Sequence, residues 1–325
     1  MSRVALVIAF AVRCFAQAQA DRVVIEATPP RLLWREPKPA TIEDWKCGFE
    51  GCACAPAPPF QFVKEDAAGT SAKLELKDAQ GRAWAVKFGG KAITEPFGYR
   101  FVTAVGYFAE PSYYVASGVI QGAPQLHRGS QYVKSDGSFR NARFQIRDKK
   151  FDFVKDSAWS ITENPFRGTH ELAGLKILLM LLSNWDVKDN RDLAEGPNTA
   201  IFRVTEAGGP VQFYSFFDWG STLGYWGGLM RRDRSDCSAY ALDTLKFVKR
   251  TGNGAIEWGY SGKRDKDVTS GITVEDIRWL LQYLHRITPE EIHAGLKASG
   301  ATDRQTACWS DSIQARLRQL EAVAR

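Results

Sequence analysis

The 325-residue chain is long enough for one large domain or two small ones. Its content of 44% apolar and 25% charged residues is ordinary for a globular protein. The net charge of +6 is mild and dispersed along the chain, which gives no argument for nucleic-acid binding, and we expect no nucleic-acid partner. After the N-terminal apolar run, no segment approaches the roughly 18 uninterrupted apolar residues of a membrane span, so we expect none.

The N-terminus has the layout of a secretory signal peptide. A basic start at Arg3 precedes apolar residues 4–12, and small residues then lead to Ala20. This pattern predicts a signal peptide over residues 1–20, cleavage after Ala20 and an exported (periplasmic or secreted) protein. Removing Arg3 and Arg13 would leave 41 basic against 37 acidic residues, or +4.

A proline-containing segment, residues 21–59, follows the signal peptide and shows little periodicity, so we interpret it as an N-terminal extension wrapped on the fold or partly free. It carries Cys47, Cys52 and Cys54, whose spacing matches no usual zinc motif and has no histidine nearby. We expect a disulfide in a surface loop, with a metal-binding cysteine cluster as the weaker alternative. Five cysteines remain after Ala20, so one has no intramolecular partner.

The first strand signals lie at residues 60–63, 73–77 and 82–88, of which the last two form a hairpin. The hairpin is entered through Gly69-Thr70-Ser71, a turn that can offer backbone N–H groups and hydroxyls to a phosphate but that also looks like any surface turn. Lys87 on the returning strand is, by itself, an ordinary solvated lysine.

A helix is predicted to begin at Glu95-Pro96, where proline suits the first turn. Strands are predicted at residues 113–120, 143–147, 198–204 and 211–217, and helices at 274–286 and 305–323. Residues 175–183 are apolar nearly all round, which is typical of a buried helix. That helix ends in Asn184-Trp-Asp-Val-Lys188, where a carboxylate and an ammonium stand at a rigid point. The simpler reading is a core helix that runs into a solvated loop.

Taken together, this order of parts resembles a protein-kinase-like fold, of the phosphatidylinositol-kinase-like or HipA-like branch. The chain is also similar to a group of exported bacterial proteins that share Glu163-Asn-Pro-Phe166, Asn184-Trp-Asp-x-Lys188 and Asp218-Trp-Gly220. The resemblance implies an α+β, two-lobed architecture. Residues 60–157 would form a small antiparallel β lobe with one helix, and residues 158–325 a larger, mainly helical lobe.

The resemblance also implies a site for ATP and Mg²⁺, in which charged side chains position phosphates and metal. Asp186 resembles the catalytic-loop aspartate and Lys188 the lysine that follows it, while Asp218 resembles the metal-binding aspartate. The remaining implied nucleotide-binding residues are Gly69, Thr70, Ser71, Lys73, Lys87 and its helix partner Glu95.

The second metal ligand is ambiguous, because the position five residues after Asp186 is Arg191 rather than asparagine. Either Asn190 has shifted by one position, or an insertion makes Asn198 the ligand, and we favour Asn198. The implied activity is phosphate transfer from ATP to a hydroxyl of a protein, sugar or small alcohol. The alternative is a catalytically inactive envelope protein of the same fold that acts as a binding module.

Overall fold

The computed structural model describes residues 29–66, 72–89, 91–148, 150–227, 231–233, 235–251 and 254–325. The predicted signal peptide and the Gly69-Thr70-Ser71 turn lie outside these residues. In chain order the strands are β1 (Arg31–Leu32), β2 (Phe60–Asp66), β3 (Lys73–Lys77), β4 (Ala83–Phe88), β5 (Ser112–Gln121), β6 (Ser138–Ile146), β7 (Phe151–Phe153), β8 (Thr199–Glu206), β9 (Gly209–Phe216), β10 (Tyr225–Gly227), β11 (Arg231–Asp233), β12 (Val248–Arg250) and β13 (Ile256–Trp258). The helices are α1 (Ile42–Cys47), α2 (Lys91–Ala104), α3 (His170–Leu181), α4 (Cys237–Thr244), α5 (Asp265–Thr269), α6 (Val274–Leu284), α7 (Pro289–Ala298) and α8 (Asp303–Ala324).

The predicted mixture of strands and helices is confirmed, and strands β2 to β6 close into a barrel in the order β2-β3-β4-β6-β5. The prediction of an antiparallel β lobe is wrong at one pair, because β2 and β5 run parallel at Phe60↔Ile120. The reason is geometric. A closed ring with an odd number of strands cannot alternate direction at every neighbour, so one pair must run parallel.

Strand β4 alternates between the barrel interior and an outer face. Trp84 and Val86 are fully buried inside the barrel, whereas Lys87 is only half-buried on the other side. The neighbouring β6 alternates in the same way, with Phe144 inside and Arg143 opposite Lys87 in the ladder. The pleat therefore brings polar side chains of two strands together on the outside of the barrel.

Helix α2 begins at Lys91, so the prediction that Glu95 stands at its first turn is wrong. Pro96 lies inside the helix, where it cannot donate to the carbonyl of Ala92 and its ring crowds that carbonyl. Tertiary packing outweighs that loss, since Thr94 is fully buried and its Oγ1 donates to the carbonyl of Gly220 at 3.1 Å. Glu95 consequently lies one turn further into the helix than the proline signal indicates.

The N-terminal extension is wrapped on the fold from residue 29 onward. Strand β1 pairs in parallel with β9, and the Trp34 ring lies 5.0 Å from the rings of both Trp279 and Tyr283. Helix α1 inserts Trp45, fully buried, against Phe97 on α2. The extension therefore joins the second sheet, β1-β9-β8-β7, to the C-terminal helices.

Helix α3 is the buried helix that the apolar run predicts. All residues from 172 to 181 are buried, and Thr169 caps the start by accepting a hydrogen bond from the Leu172 N–H. The other end is held by Arg316 of α8, which donates to the carbonyls of Met180 and Leu181 at 2.9 and 3.0 Å. Those carbonyls lack partners within the helix, so a distant side chain fixes the start of the Asn184–Lys188 loop.

The two hydrophobic clusters do not coincide with the two lobes predicted from the chain order. Phe97 and Phe101 of α2 belong to the cluster around α3 and the C-terminal helices. Phe202 and Phe213, from the second predicted segment, belong to the cluster of the barrel. The division into lobes over residues 60–157 and 158–325 stays a prediction.

The cysteines of the extension form the disulfide Cys47–Cys52, and a second disulfide joins Cys237 to Cys308. Cys54 is the free cysteine of the described residues, in agreement with the expected odd thiol. Glu43, Cys47 and Cys52 lie close enough to hold a metal, but the disulfide removes both thiolates as ligands. Within the described part of the chain, no helix is long and apolar enough to cross a membrane.

Candidate functional site

A cleft of about 590 Å³ opens beside the barrel between β4, β6, α2 and the end of β9. Four of the predicted site residues line it, namely Lys73, Lys87, Glu95 and Asp218. They come from four separate segments of the chain, so the fold alone brings them together. Two ammonium groups and two carboxylates facing one cavity suit an anionic ligand that carries a divalent cation.

The walls of this cleft are apolar on two sides. Ala85 and Ile146 contribute from the barrel, and Phe151, Phe153 and Phe217 contribute from the second sheet and the segment after it. The rings of Phe153 and Phe217 meet edge to face, 6.1 Å apart. A slot between aliphatic and aromatic walls fits a flat heterocycle, and the volume lies within the usual range for small-molecule pockets.

The carboxylate of Glu95 is paired with a residue that sequence reasoning missed. Arg143 NH2 lies 2.8 Å from Glu95 Oε1, and both side chains are at least 95% buried. In the strand ladder Lys87 lies directly between Lys73 and Arg143. Glu95 therefore lies against this row of cations, and its Oε2 is buried without a hydrogen-bond partner among the described residues.

The Asp218-Trp219-Gly220 segment is held from two directions. Asn184 Nδ2 donates to the Asp218 carbonyl at 2.9 Å, which ties this segment to the loop after α3. The Asp218 carboxylate accepts a hydrogen bond from the Gly220 N–H at 3.0 Å. Trp219 is buried against α2, and this packing fixes the backbone beside Asp218, the predicted metal ligand.

Gly98 of α2 permits this packing, because a Cβ at that position would lie 2.5 Å from the Cβ of Trp219. We expect Gly98→Ala to reduce the free energy of unfolding by about 1–3 kcal/mol through overpacking, despite the better helix propensity of alanine. Chemical denaturation measures the change. Thr103→Ala on the same helix introduces the same residue at a half-buried position and should be nearly neutral. An equally neutral Gly98→Ala would mean that Trp219 does not pack closely on α2.

Asp186 and Lys188 lie together in the loop after α3, as the sequence predicts for neighbours two residues apart. Lys188 Nζ is 3.5 Å from Asp186 Oδ2, and the two side chains are 14% and 15% exposed. Lys188 Nζ also donates to the Glu195 carbonyl at 3.4 Å. The Asp186 carboxylate is thus largely buried, is paired with the Lys188 ammonium and keeps a small exposed area.

The two candidate asparagines occupy very different places. Asn198 is buried, and its Nδ2 donates to the Asp186 carbonyl at 2.6 Å while its carbonyl accepts from the Phe217 N–H at 2.9 Å. Asn190 is exposed at the start of the 3-10 segment Asn190–Glu195. Asn198 therefore connects the Asp186 loop with the strand end that carries Asp218, and Asn190 does not.

Arg191 has a structural partner that explains its place in the loop. Its guanidinium makes hydrogen bonds to the fully buried carboxylate of Asp189, and it also pairs with Asp267 at 2.8 Å. Burial alone would raise the pKa of Asp189, but the hydrogen bonds from Arg191 and from the Ile161 N–H outweigh it and lower the pKa. The Arg191–Asp189 pair therefore fixes the loop segment in which arginine stands at the position where the resemblance leads us to expect asparagine.

Sequence reasoning also missed Glu110 and Gln145, which line the same cleft as Glu95. For Gln145 a signal was present, since alternation along residues 143–147 puts positions 143, 145 and 147 on one polar face. Glu110 is flanked in the sequence by small and apolar residues, and no sequence signal marked it as a site residue. Burial raises the pKa of Glu110 to about 7, and the nearby Arg147 and Arg143 lower it only in part.

No protein-family model matches this chain, and no curated protein matches it. Among solved structures, the chain is similar to the Golgi casein kinase with Mn/ADP bound, with a TM-score of 0.40 and 8% identity over 87% of this chain and 74% of that one. A second Golgi casein kinase structure gives 0.39 and 9% over the same shares. The Rio2 kinase–ADP/Mg²⁺–phosphoaspartate complex from Chaetomium thermophilum gives 0.31 and 14%, over 80% and 71%. At these values the likeness shows no activity, substrate or cofactor for this chain.

Proposed function

We propose that the protein is an ATP- and Mg²⁺-dependent phosphotransferase of protein-kinase-like fold that acts on a hydroxyl group. The observation that carries the proposal is the cleft that gathers Lys73, Lys87, Glu95 and Asp218 beside an apolar slot. Lone residues of these types occur on any surface. Their convergence on one cavity from separate segments is what phosphate positioning requires.

The residues present fit a nucleotide and a divalent cation. The ammonium groups of Lys73 and Lys87 would hold phosphate oxygens, and the Asp218 carboxylate would hold Mg²⁺. The Oε2 of Glu95, buried and without a hydrogen-bond partner in the described part of the chain, supplies one more oxygen ligand or an acceptor for an ammonium group. Mg²⁺, when bound, neutralises charge on the phosphates. We carry the second metal position over to Asn198, with Asn190 as the more distant candidate.

Asp186 has the surroundings of a residue that orients and deprotonates a hydroxyl. Its backbone is fixed by Asn198, and its carboxylate is only 15% exposed beside the Lys188 ammonium. A carboxylate held rigidly with one accessible side can accept the proton of an attacking hydroxyl. Lys188 then limits the accumulation of negative charge between donor and acceptor.

The catalytically inactive binding module remains the second candidate, and two observations favour it. The Glu95 carboxylate pairs with Arg143, whereas the resemblance to protein kinases implies that it pairs with Lys87. The disulfides Cys47–Cys52 and Cys237–Cys308 support our proposal that the protein is exported, to a compartment where ATP is scarce. Under this reading the cleft binds a nucleotide or another anion without turnover.

Thermal unfolding with ATP and Mg²⁺ tests the nucleotide site directly. A ligand at about one hundred times its dissociation constant adds roughly 2.7 kcal/mol to the free energy of unfolding, which raises Tm by several degrees. We expect this rise for the wild-type protein and its loss in Asp218→Asn, because the amide cannot hold Mg²⁺ as the carboxylate does.

Asp156→Asn, at a carboxylate that is 85% exposed, is the matched control and should keep the full shift. The proposal fails if the wild-type protein shows no shift with ATP and Mg²⁺. A shift of equal size in Asp218→Asn would show that the nucleotide binds elsewhere or without the metal.

A further inference from the structure

Five side chains form a continuous line along the wall of the cleft. Glu95 Oε1 is 2.8 Å from Arg143 NH2, and Arg143 NH1 donates to Gln145 Oε1. Gln145 Nε2 donates to Glu110 Oε2 at 2.5 Å, and Arg147 NH1 lies 3.3 Å from Glu110 Oε1. The Glu95–Arg143 contact is an ion pair, and hydrogen bonds continue the line through Gln145 and Glu110 to Arg147 at the edge of the cleft.

The line buries two charged side chains, Arg143 and Glu95, whose hydrogen-bonding atoms are not all satisfied by described residues. Arg143 is fully buried, and its Nε has no hydrogen-bond partner in the described part of the chain. Glu95 is 4% exposed and lines the cleft, and its Oε2 has no hydrogen-bond partner within the ranges that the structure describes. Buried ion pairs contribute little net stability, and buried polar atoms without partners are rare. Both facts point to a ligand that completes the site.

The strand ladder explains why Arg143 can serve Glu95 without occupying the cleft. Arg143 on β6 lies directly opposite Lys87 on β4, and Lys87 lines the cleft while Arg143 lies behind it. Arg143 therefore holds one carboxylate oxygen of Glu95 from the rear. The other oxygen stays available to a group that enters from the front.

Resting on the proposed function, we propose that Arg143, Gln145 and Glu110 are positioning residues of the nucleotide cleft, which fix Glu95 so that its second oxygen meets the cation or ammonium of the bound complex. None of the three needs to touch the nucleotide for this role. The Glu95 carboxylate would then keep its place whether or not Lys87 is engaged by phosphate.

The charge at the far end of the line should influence nucleotide affinity. The charged groups that face Glu110 are Arg147, Arg143, Glu95 and Lys87. Because burial raises the pKa of Glu110 to about 7, this carboxyl changes charge near neutral pH. Its anionic form competes with Glu95 for the cations and adds negative charge near an anionic ligand. Affinity for ATP with Mg²⁺ should therefore fall as the pH rises through this range.

Calorimetric titration of ATP with Mg²⁺ at about pH 6 and about pH 8 measures this effect. For the wild-type protein we expect the Kd to rise by about threefold to tenfold between the two, the size of one charge acting through partly screened protein. Glu110→Gln keeps the acceptor for Gln145 and removes the titration, so its Kd should stay near the acid value at both pH values. Glu163→Gln, at a carboxylate that is 70% exposed, should behave as wild type.

A second pair of variants tests Arg143 itself. We expect Arg143→Met to weaken ATP binding by about tenfold or more, and Arg143→Lys to restore part of it, because a cation behind Glu95 is what matters. A purely structural role would lower Tm equally in both variants and leave the pH dependence of Glu110→Gln unchanged from wild type.

The outcomes separate the two proposals. Wild-type protein that binds no ATP with Mg²⁺ at either pH overturns the proposed function and this inference with it. Wild-type binding with the same pH dependence in Glu110→Gln overturns the positioning role alone. Binding that loses its pH dependence in Glu110→Gln and weakens in Arg143→Met supports it.

Discussion

Asp186→Asn is expected to lower phosphate transfer from ATP by about 10²–10⁴-fold, which corresponds to roughly 3–5 kcal/mol in the activation barrier. The amide keeps the shape of the carboxylate but cannot accept the proton of an attacking hydroxyl. Asp186 is not among the residues that line the cleft proposed for the nucleotide, so the KM for ATP should change much less than kcat. The backbone contact from Asn198 Nδ2 to the Asp186 carbonyl is retained, and the loop should keep its place.

Phosphate release from labelled ATP and incorporation of label into the protein itself measure the turnover. Asp311→Asn, on the exposed side of α8, is the matched control and should leave the rate unchanged. A rate in Asp186→Asn within a few-fold of wild type would remove Asp186 from the chemistry. A wild-type protein that binds ATP with Mg²⁺ and transfers no phosphate would favour the binding-module alternative instead.

Arg316→Met should be the most destabilising single change in the helical part of the molecule, with a loss of about 3–5 kcal/mol in the free energy of unfolding. Arg316 is fully buried on α8 and joins this helix to the end of α3 and to α4. It donates to the last carbonyls of α3, to Thr244 Oγ1 at 2.8 Å and to Asp243 Oδ2 at 2.8 Å. Methionine would leave the largely buried Asp243 carboxylate without its counter-charge, although Ser183 Oγ still donates to it. The α3 carbonyls would lose a charged donor and keep a donor each, the Ser183 N–H on Met180 and the Tyr240 hydroxyl on Leu181.

Chemical denaturation of Arg316→Met beside Arg318→Met provides the comparison, because Arg318 is exposed on the same helix two positions later. The exposed variant should stay within about 0.5 kcal/mol of wild type. A loss below about 1 kcal/mol in Arg316→Met would show that water or a rearranged Asp243 satisfies the end of α3. Because the Asn184–Lys188 loop starts at that end, a large loss should also reduce the thermal shift with ATP and Mg²⁺.

Much of the local structure could be predicted because it depends on neighbours in the chain. The apolar run of residues 175–183 predicted α3, and alternation predicted that β3 and β4 form a hairpin. Threonine caps and amphipathic periodicity predicted the helix observed as Val274–Leu284. Of the site, the residue types at positions 73, 87, 95, 186 and 218 were identified from their order along the chain, while their roles stay predictions.

Local signals misled the prediction where packing opposed them. Pro96 suggested a helix start, yet burial of Thr94 against Gly220 extends α2 back to Lys91. The short helix α1 was missed because its proline-containing segment shows almost no periodicity, and only the burial of Trp45 reveals why it forms. In both cases the stabilising contact comes from a distant part of the chain.

The sequence by itself determined the strongly patterned segments, such as β3, β4, α3 and α6, and which side chains can do phosphate chemistry. Only the tertiary structure decided the partners: Arg143 with Glu95, Arg191 with Asp189, Asn198 with the Asp186 carbonyl, and Cys237 with Cys308. The reason is physical. Periodicity and capping act over a few residues, whereas ion pairs, hydrogen bonds to buried groups and disulfides depend on distances that closure of the barrel and packing around α3 impose.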